Sequence, residues 1–262
     1  ESLVMLPVRT DEKPLFDGAE HRQALPPLYN RYQRVRSGGS VQAEHLQALL
    51  GPLYNTSYCL WDQIQDNDYY AAQQVLLLSA SSKTSIGLAK ALADDDKAPP
   101  VLGLTSAGNI EFVKSLGYYD DALGYEALSD VPQVPTVIVD MAGNPNVRHA
   151  LQAQLGDQLQ HYISVGLTHW DEEAKGSASD SSLVPIKSQE MFFAPTYILE
   201  RMKTLAPGEF ETNSANYLKA ATEATFGWME VIELDGIEAL AALYPRFVEG
   251  TLPPSAGYVV KL

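Results

Sequence analysis

The sequence predicts an α/β protein built on a doubly wound parallel sheet, and three observations carry that expectation. The middle of the chain alternates short apolar, β-branched-rich runs with helix-like segments at the spacing of βαβ units. The runs are apolar throughout, as expected of strands covered on both faces. Strand and helix at this spacing imply parallel neighbours joined by right-handed crossovers. Length and composition agree, since 262 residues at 45% hydrophobic and 19% charged suffice for a sizeable core.

Residues 1–45 contain Leu25-Pro26-Pro27 and Ser37-Gly38-Gly39 and read as extended and loop-rich. Val75 to Leu78 is the first strand, followed by a small polar loop from Ser79 to Ser85. A helix is expected from Ile86 to Ala93, where Gly87 and Ala89 are small enough to lie close against a sheet. Asp94-Asp95-Asp96 and Pro99-Pro100 end it. Val101 to Leu104 is the second strand, and a helix from about Gly108 to Leu116 is closed by Gly117. Asp121 to Tyr125 reads as a third short strand, and the β-branched Thr136 to Asp140 as a fourth. Asn144-Pro145 supplies an N-cap and first-turn proline for a helix ending at Gly156, and Gln160 to Val165 is a fifth strand. Residues 171–182 are polar and read as a mobile loop. Helical spacing returns over Pro195 to Thr204, Ser214 to Met229 and Gly236 to Glu249, and Tyr258 to Leu262 closes the chain as a strand.

Charge and cysteine content narrow the function classes. Lys and Arg number 18 against 33 Asp and Glu, a formal charge of −15. Such a surface is repelled by nucleic-acid phosphates and by anionic membranes. No apolar run approaches the roughly 20 residues that cross a bilayer. Cys59, alone of its kind, forbids intrachain disulfides and multi-cysteine zinc sites and makes a reducing cytoplasm the default compartment. The sequence opens at Glu1 without an initiator Met or a signal-like start, so an upstream portion is expected to be missing.

The first βα turn is the leading candidate for chemistry, because a helix N-terminus offers unpaired N–H groups and a positive dipole end to phosphate. The turn reads Ser79-Ala80-Ser81-Ser82-Lys83-Thr84-Ser85, with glycine arriving only at Gly87. Hydroxyl residues in place of glycines still donate hydrogen bonds, and Lys83 adds the turn's positive charge. An ordinary polar βα loop with Ser/Thr caps explains the same residues. An NAD site normally places Asp or Glu about 20 residues further on. Here that place holds Leu104-Thr105-Ser106, with Asn109 beyond, which leaves room for a 2′-phosphate and favours NADP if a dinucleotide binds. Two later strand ends line the same crevice, Asp140-Met141-Ala142-Gly143 and Gly166-Leu167-Thr168-His169-Trp170. His169 is the histidine best placed for proton transfer, against the plainer reading of a packed histidine beside Trp170. No pair of histidines or of His and Cys has ligand spacing, so no metal site is expected.

Several strings then resemble a known family. Val75 to Leu92 is similar to the first strand, turn and helix of quinone-oxidoreductase-like medium-chain dehydrogenases/reductases, with Ser82 to Ser85 over their Gly-Gly-Val-Gly turn. Val101 to Gly117, Thr136 to Gly143 and Gly236 to Leu262 resemble further elements of that fold. More closely, HRQALPPLYNRYQRV, SASSKTSIGLA, GLTSAGNIEFVKSLG, VDMAGN and VGLTHWD resemble a bacterial family with a degenerate version of it and no settled activity. The resemblance covers nearly the whole chain. It implies a Rossmann-like sheet, a partial N-terminal substrate-side (GroES-like) segment and a returning C-terminal strand. The expected division is 1–60 for the substrate-side segment, 61–190 for the dinucleotide-binding domain, and 191–262 for helices and strand completing it. Leu53 to Trp61 looks like the segment entering the cofactor domain, where relatives place a threonine near the nicotinamide; here that is Thr56.

The function implied is a zinc-independent, NADP-preferring oxidoreductase for an activated carbonyl or alkene. Ser81, Ser82, Lys83, Thr84 and Ser85 would hold the pyrophosphate, and Thr105, Ser106 and Asn109 the ribose phosphate. Met141, Ala142, Gly143, Gly166 and Thr168 would flank the nicotinamide half, with His169 or Tyr54 as donor. The alternative is a non-catalytic dehydrogenase fold used for ligand sensing or partner binding, with a carrier such as coenzyme A at the same turn as a third option. A homodimer is expected by analogy with related folds.

Overall fold

The computed structural model describes residues 15–25, 27–32, 40–165 and 188–261. The chain divides into two compact units, residues 1–45 and 46–262. In the first, strand β1 (Leu15–Phe16) pairs antiparallel with β2 (Arg31–Tyr32). Arg22 ties this segment together, donating to the side chain of Asn30 and the carbonyl of Tyr29.

The second unit is organised on a six-stranded, wholly parallel sheet in the order β5-β4-β3-β6-β7-β8. Its strands are β3 (Gln74–Leu78), β4 (Val101–Thr105), β5 (Asp121–Gly124), β6 (Thr136–Asp140), β7 (Leu159–Val165) and β8 (Gln189–Phe192). The chain builds outward from β3 in one direction through β4 and β5, then restarts beside β3 with β6 and continues to β7 and β8. This is the doubly wound Rossmann-type order, and its switch point lies between β3 and β6. Every residue of β3, β4 and β6 is buried, which is why those runs lack polar alternation.

Period-two side-chain direction sorts the sheet into two cores. Val75, Leu77, Val137, Val139 and Ile163 face one cluster, and Leu76, Leu78, Leu102, Leu104, Ile138 and Tyr162 the other. The second cluster is closed by Val147, Leu151 and Leu155 of helix α4 (Pro145–Leu155). The first is covered by α1 (Val41–Asp66), α2 (Lys83–Ala93), α3 (Ile110–Ser115), α5 (Ala194–Thr204) and α6 (Glu209–Thr225). A separate parallel pair, β9 (Glu230–Asp235) and β10 (Ala256–Lys261), is joined by α7 (Gly236–Val248).

The first five strands of the main sheet lie where the sequence puts them. Residues 46–60, expected in the substrate-side segment, lie in α1 within the second unit, and α1 continues through Pro52. Helix α2 starts at Lys83 because Ser82 caps it, so the polar loop ends three residues earlier than expected. Gly87 packs on α1 rather than on the sheet. A Cβ there would stand 2.6 Å from Ser57 Oγ and 2.8 Å from Tyr54 Cδ1. Strands β8 and β9 were not expected, and α6 ends at Thr225 to make way for β9. The polar segment 171–182 lies outside the described residues.

Candidate functional site

Ligands of open parallel sheets bind outside the carboxyl ends of the strands, at the switch point. At that edge the chain runs from β3 through Ser79, Ala80, Ser81 and Ser82 into α2. Ser79 adopts a left-handed backbone (φ +55°) and its N–H donates to the Tyr125 hydroxyl at 2.9 Å. Ala80, fully buried, donates its N–H to the Leu104 carbonyl, while its own carbonyl accepts from Tyr119 Oη at 2.8 Å. A Cβ on Gly103 of β4 would sit 2.8 Å from Ala80 Cβ, so the missing side chain there lets the turn lie flat on the neighbouring strand.

The hydroxyls divide between folding and recognition. Ser82 Oγ accepts the Ser85 N–H at 3.3 Å as the N-cap, and Ser85 Oγ, fully buried, donates to the Leu78 carbonyl at 3.0 Å. Ser85 is therefore a fold residue and not the phosphate ligand expected from the sequence. The Lys83 ammonium has an internal partner, donating to the Ala256 carbonyl at 3.0 Å, and burial pulls its pKa below the usual lysine range. What Lys83 and Thr84 offer the crevice is main chain, since no hydrogen bond from either N–H occurs among the described residues. Thr84's carbonyl accepts from Ser57 Oγ at 2.8 Å.

Ser81 is the hub. Its Oγ accepts from Thr105 Oγ1 at 3.1 Å and from Asn109 Nδ2 at 3.2 Å, and Asn109 also donates to Ser106 Oγ at 3.0 Å. With two acceptor directions occupied, the Ser81 proton is free to point outward. The structure thus brings Ser81, Thr105, Ser106 and Asn109 into one cluster at the ends of β3 and β4, with no carboxylate in it. Tyr125, which the sequence did not single out, stands beside it. Its phenol is pushed above the usual tyrosine range by burial. The signal for it is weak, an aromatic directly after a strand-end glycine.

Across the switch point, Asp140 closes the β6 turn. Its Oδ1 accepts the N–H groups of Ala142 and Gly143 at 2.7 and 2.9 Å, and its Oδ2 accepts from Tyr162 Oη at 2.5 Å. Ala142 and Gly143 are partly exposed at this edge, whereas Met141 is turned into the core and does not present its side chain to a ligand. Tyr54 does not reach the crevice either. It is 2% exposed, its hydroxyl lies 2.6 Å from Thr225 Oγ1, and burial pushes its phenol up to about 12. Thr56 back-bonds to the Pro52 carbonyl of its own helix at 3.1 Å. Gly166, Thr168 and His169 lie outside the described residues. Among the described residues no three His, Cys, Asp or Glu side chains are grouped as a metal would require, and no helix is long and apolar enough to cross a membrane.

Residues 1–253 match the family described as "Protein of unknown function (DUF2855)", and the chain belongs to it. No curated protein matches the sequence. Among solved structures, the fold is similar to the yhdH oxidoreductase from Salmonella enterica in complex with NADP (14% identity, TM-score 0.52, covering 89% of this chain and 69% of that one). It is also similar to a putative NADPH:quinone reductase from Mesorhizobium loti (11%, 0.55, 95% and 70%). A third is CurA in complex with NADPH from Vibrio vulnificus (13%, 0.50, 79% of this chain), of which the present chain spans 61%, less than two thirds. At these identities the likeness is one of fold.

Proposed function

We propose that this member of the DUF2855 family is an oxidoreductase of the medium-chain dehydrogenase/reductase type that prefers NADP, needs no zinc and acts on an activated carbonyl or alkene. The observation that carries the reading is the carboxylate-free cluster of Ser81, Thr105, Ser106 and Asn109 at the ends of β3 and β4. A carboxylate there would bind ribose hydroxyls and repel a 2′-phosphate, whereas hydroxyl and amide donors accept one. The N–H groups of Lys83 and Thr84, at the positive end of α2, would hold the pyrophosphate. Ala142 and Gly143 would border the nicotinamide half. The fold it shares with NADP- and NADPH-bound proteins supports the same reading. The bound cofactor supplies the hydride; the chain's part is to bind it, fix its face and exclude water. 

The test is a fluorescence or calorimetric titration with NADPH and with NADH, followed by a panel of enones and quinones. The expected result is tighter binding of NADPH and its consumption with at least one acceptor. Failure of both nucleotides to bind at millimolar concentration overturns the reading. A second reading, a non-catalytic sensor on the same fold, is favoured by one observation: Tyr54 Oη and Lys83 Nζ are both spent on internal partners. Binding of NADPH without turnover across the panel selects it.

A further inference from the structure

At the other end of α2, about 16 Å along the helix from the phosphate turn at 1.5 Å per residue, a groove of about 740 Å³ opens between α1, α2, α5 and α6. That volume falls in the range of small-molecule sites. One wall is aromatic. Trp61 and Tyr217, both partly exposed, form it, and the buried Tyr58 packs against both at 5.8 and 5.7 Å, centroid to centroid. Leu205 adds an aliphatic side chain to the lining.

The charge around this wall is lopsided. Of the lining residues, Asp62, Asp94, Asp95, Asp96 and Glu209 are acidic, and Lys97 and Arg201 are basic. Arg201 is already consumed, pairing with Asp62 at 2.8 Å and with Asp66 at 2.9 Å, and Asp94 is matched by Lys90 at 2.6 Å. Asp95 is different. Its Oδ2 accepts from Trp61 Nε1 at 3.0 Å and from Tyr69 Oη, and its Oδ1 accepts the Lys97 N–H at 3.1 Å. Burial pushes this carboxyl upward, yet those donors outweigh it and hold the group below its usual range. All three hydrogen-bond donors are uncharged and fix the anion without neutralising it, and the Lys97 ammonium adds a smaller electrostatic pull in the same direction. The Trp61 N–H is spent on the same carboxylate, which leaves the indole to meet a ligand through its ring.

We propose that this groove is a second ligand site, for a small organic cation with an aromatic or extended apolar body. The apolar body would lie on Trp61 and Tyr217, gaining from the ring faces as well as from burial. Its ammonium would sit against Asp95, with Asp96 and Glu209 adding to the attraction. An anionic ligand of the same shape meets these carboxylates with the wrong sign, so the groove is not a second nucleotide site. The site shares no residue with the phosphate turn, and the proposal stands independently of the redox reading.

The experiment uses the full chain and 2-phenylethylammonium as probe, with 2-phenylethanol and phenylacetate as neutral and anionic counterparts. Binding is read by calorimetry and by the indole N–H resonance of Trp61, assigned with Trp61→Phe. The ammonium is expected to bind about tenfold or more tightly than the alcohol, and phenylacetate weaker still. Asp95→Asn should lose about tenfold of the ammonium's affinity. Because Asp95 also anchors Trp61 and Tyr69, Asp96→Asn combined with Glu209→Gln gives a rim variant that leaves those bonds intact; it should lose about threefold. Equal binding of alcohol and ammonium, no binding of the ammonium, or an affinity unchanged in both variants overturns the proposal. A basic peptide that binds where the small ammonium does not overturns it too. NADPH affinity is expected to be the same with and without saturating ammonium, so failure here and failure of the redox reading are told apart.

Discussion

Substituting Gly87 by alanine tests how tightly α1 and α2 are locked together. In an open helix the change would stabilise by about 1 kcal/mol, since glycine costs a helix interior roughly that much. Here the added methyl would meet Ser57 Oγ at 2.6 Å, Tyr54 Cδ1 at 2.8 Å and Ser57 Cβ at 3.0 Å. Carbon contacts relax at about 3.5–4.0 Å, so the helices must separate by several tenths of an ångström. Neither neighbour yields easily. The single Ser57 hydroxyl proton is shared between the Thr84 carbonyl at 2.8 Å and the Leu53 carbonyl at 3.0 Å, and Tyr54 is held by its bond to Thr225. Overpacking of this kind costs about 1–3 kcal/mol, and loss of the Ser57–Thr84 bond adds about 1 kcal/mol. After the helix-propensity gain the net loss is about 2 kcal/mol, which for a domain of this size lowers Tm by about 4–8 °C. Gly108→Ala is the control, because nothing lies within 4 Å of its added Cβ. Thermal melts of both variants, with urea titration to confirm an unchanged m-value, decide the matter. If Gly87→Ala melts at or above the parent temperature, or shifts no more than Gly108→Ala, the packing argument is wrong.

Other substitutions probe the turn and the far edge of the sheet. Ser81→Ala removes the acceptor shared by Thr105 and Asn109; with Thr105 1% exposed, stability should fall by about 1–2 kcal/mol in urea and NADPH affinity by about tenfold if the proposed site is right. Ser79→Gly relieves the left-handed backbone at φ +55° and should stabilise by up to about 1 kcal/mol, whereas Tyr125→Phe leaves the Ser79 N–H without its acceptor and should cost about 1 kcal/mol; two changes of opposite sign at one contact are read by the same melts. Glu190 is held below its usual 4.5 first by its bond to His161 (Nε2 to Oε1, 2.9 Å) and then by Tyr70 and Gln63, against burial. Its stabilising contribution is therefore complete above about pH 4.5 and lost as pH falls through the depressed value. Glu190→Gln should flatten that acid limb in urea titrations across the carboxylate range, and an unchanged slope would remove Glu190 from the account.

Much of the sheet was legible because burial on both faces leaves an unambiguous record. Val75–Leu78, Val101–Leu104 and Thr136–Asp140 have no polar residue between flanking turn signals except Thr136 and Asp140 at the ends of the last. Strands β8 and β9 were invisible for the opposite reason. Gln189–Phe192 sits at the sheet edge and Glu230–Asp235 in a two-stranded pair, where partial exposure permits mixed residues with no core pattern. Helix α1 was hidden by Gly51-Pro52, a dipeptide that reads as a break. The apolar ladder Leu46, Leu50, Tyr54 and Tyr58, all buried, carries the helix across it. Of the candidate cluster, strand-end residue types pointed to Ser81, Thr105, Ser106 and Asn109, which the structure brings together. Side-chain direction, which sequence does not encode at one position, decided Lys83, Ser85, Met141 and Tyr54.

The glycine fingerprint usual in such turns serves separate physical needs, and this chain meets them at separate places. The backbone turn that requires positive φ falls on Ser79, which bears the strain of about 1 kcal/mol and is anchored by Tyr125. Close approach of turn to strand is provided from the strand's side by Gly103 under Ala80. Close approach of helix to neighbour is kept by Gly87, against α1. What remains for the segment between Ser81 and Thr84 is access to main-chain N–H groups, which serine and lysine side chains directed to Thr105, Ser85 and Ala256 leave uncovered. Absence of the glycine motif therefore speaks to how the turn is built and not to whether phosphate can reach it. Affinity should depend on the backbone at Lys83 and Thr84 and on the Ser81 hydroxyl rather than on the Lys83 ammonium.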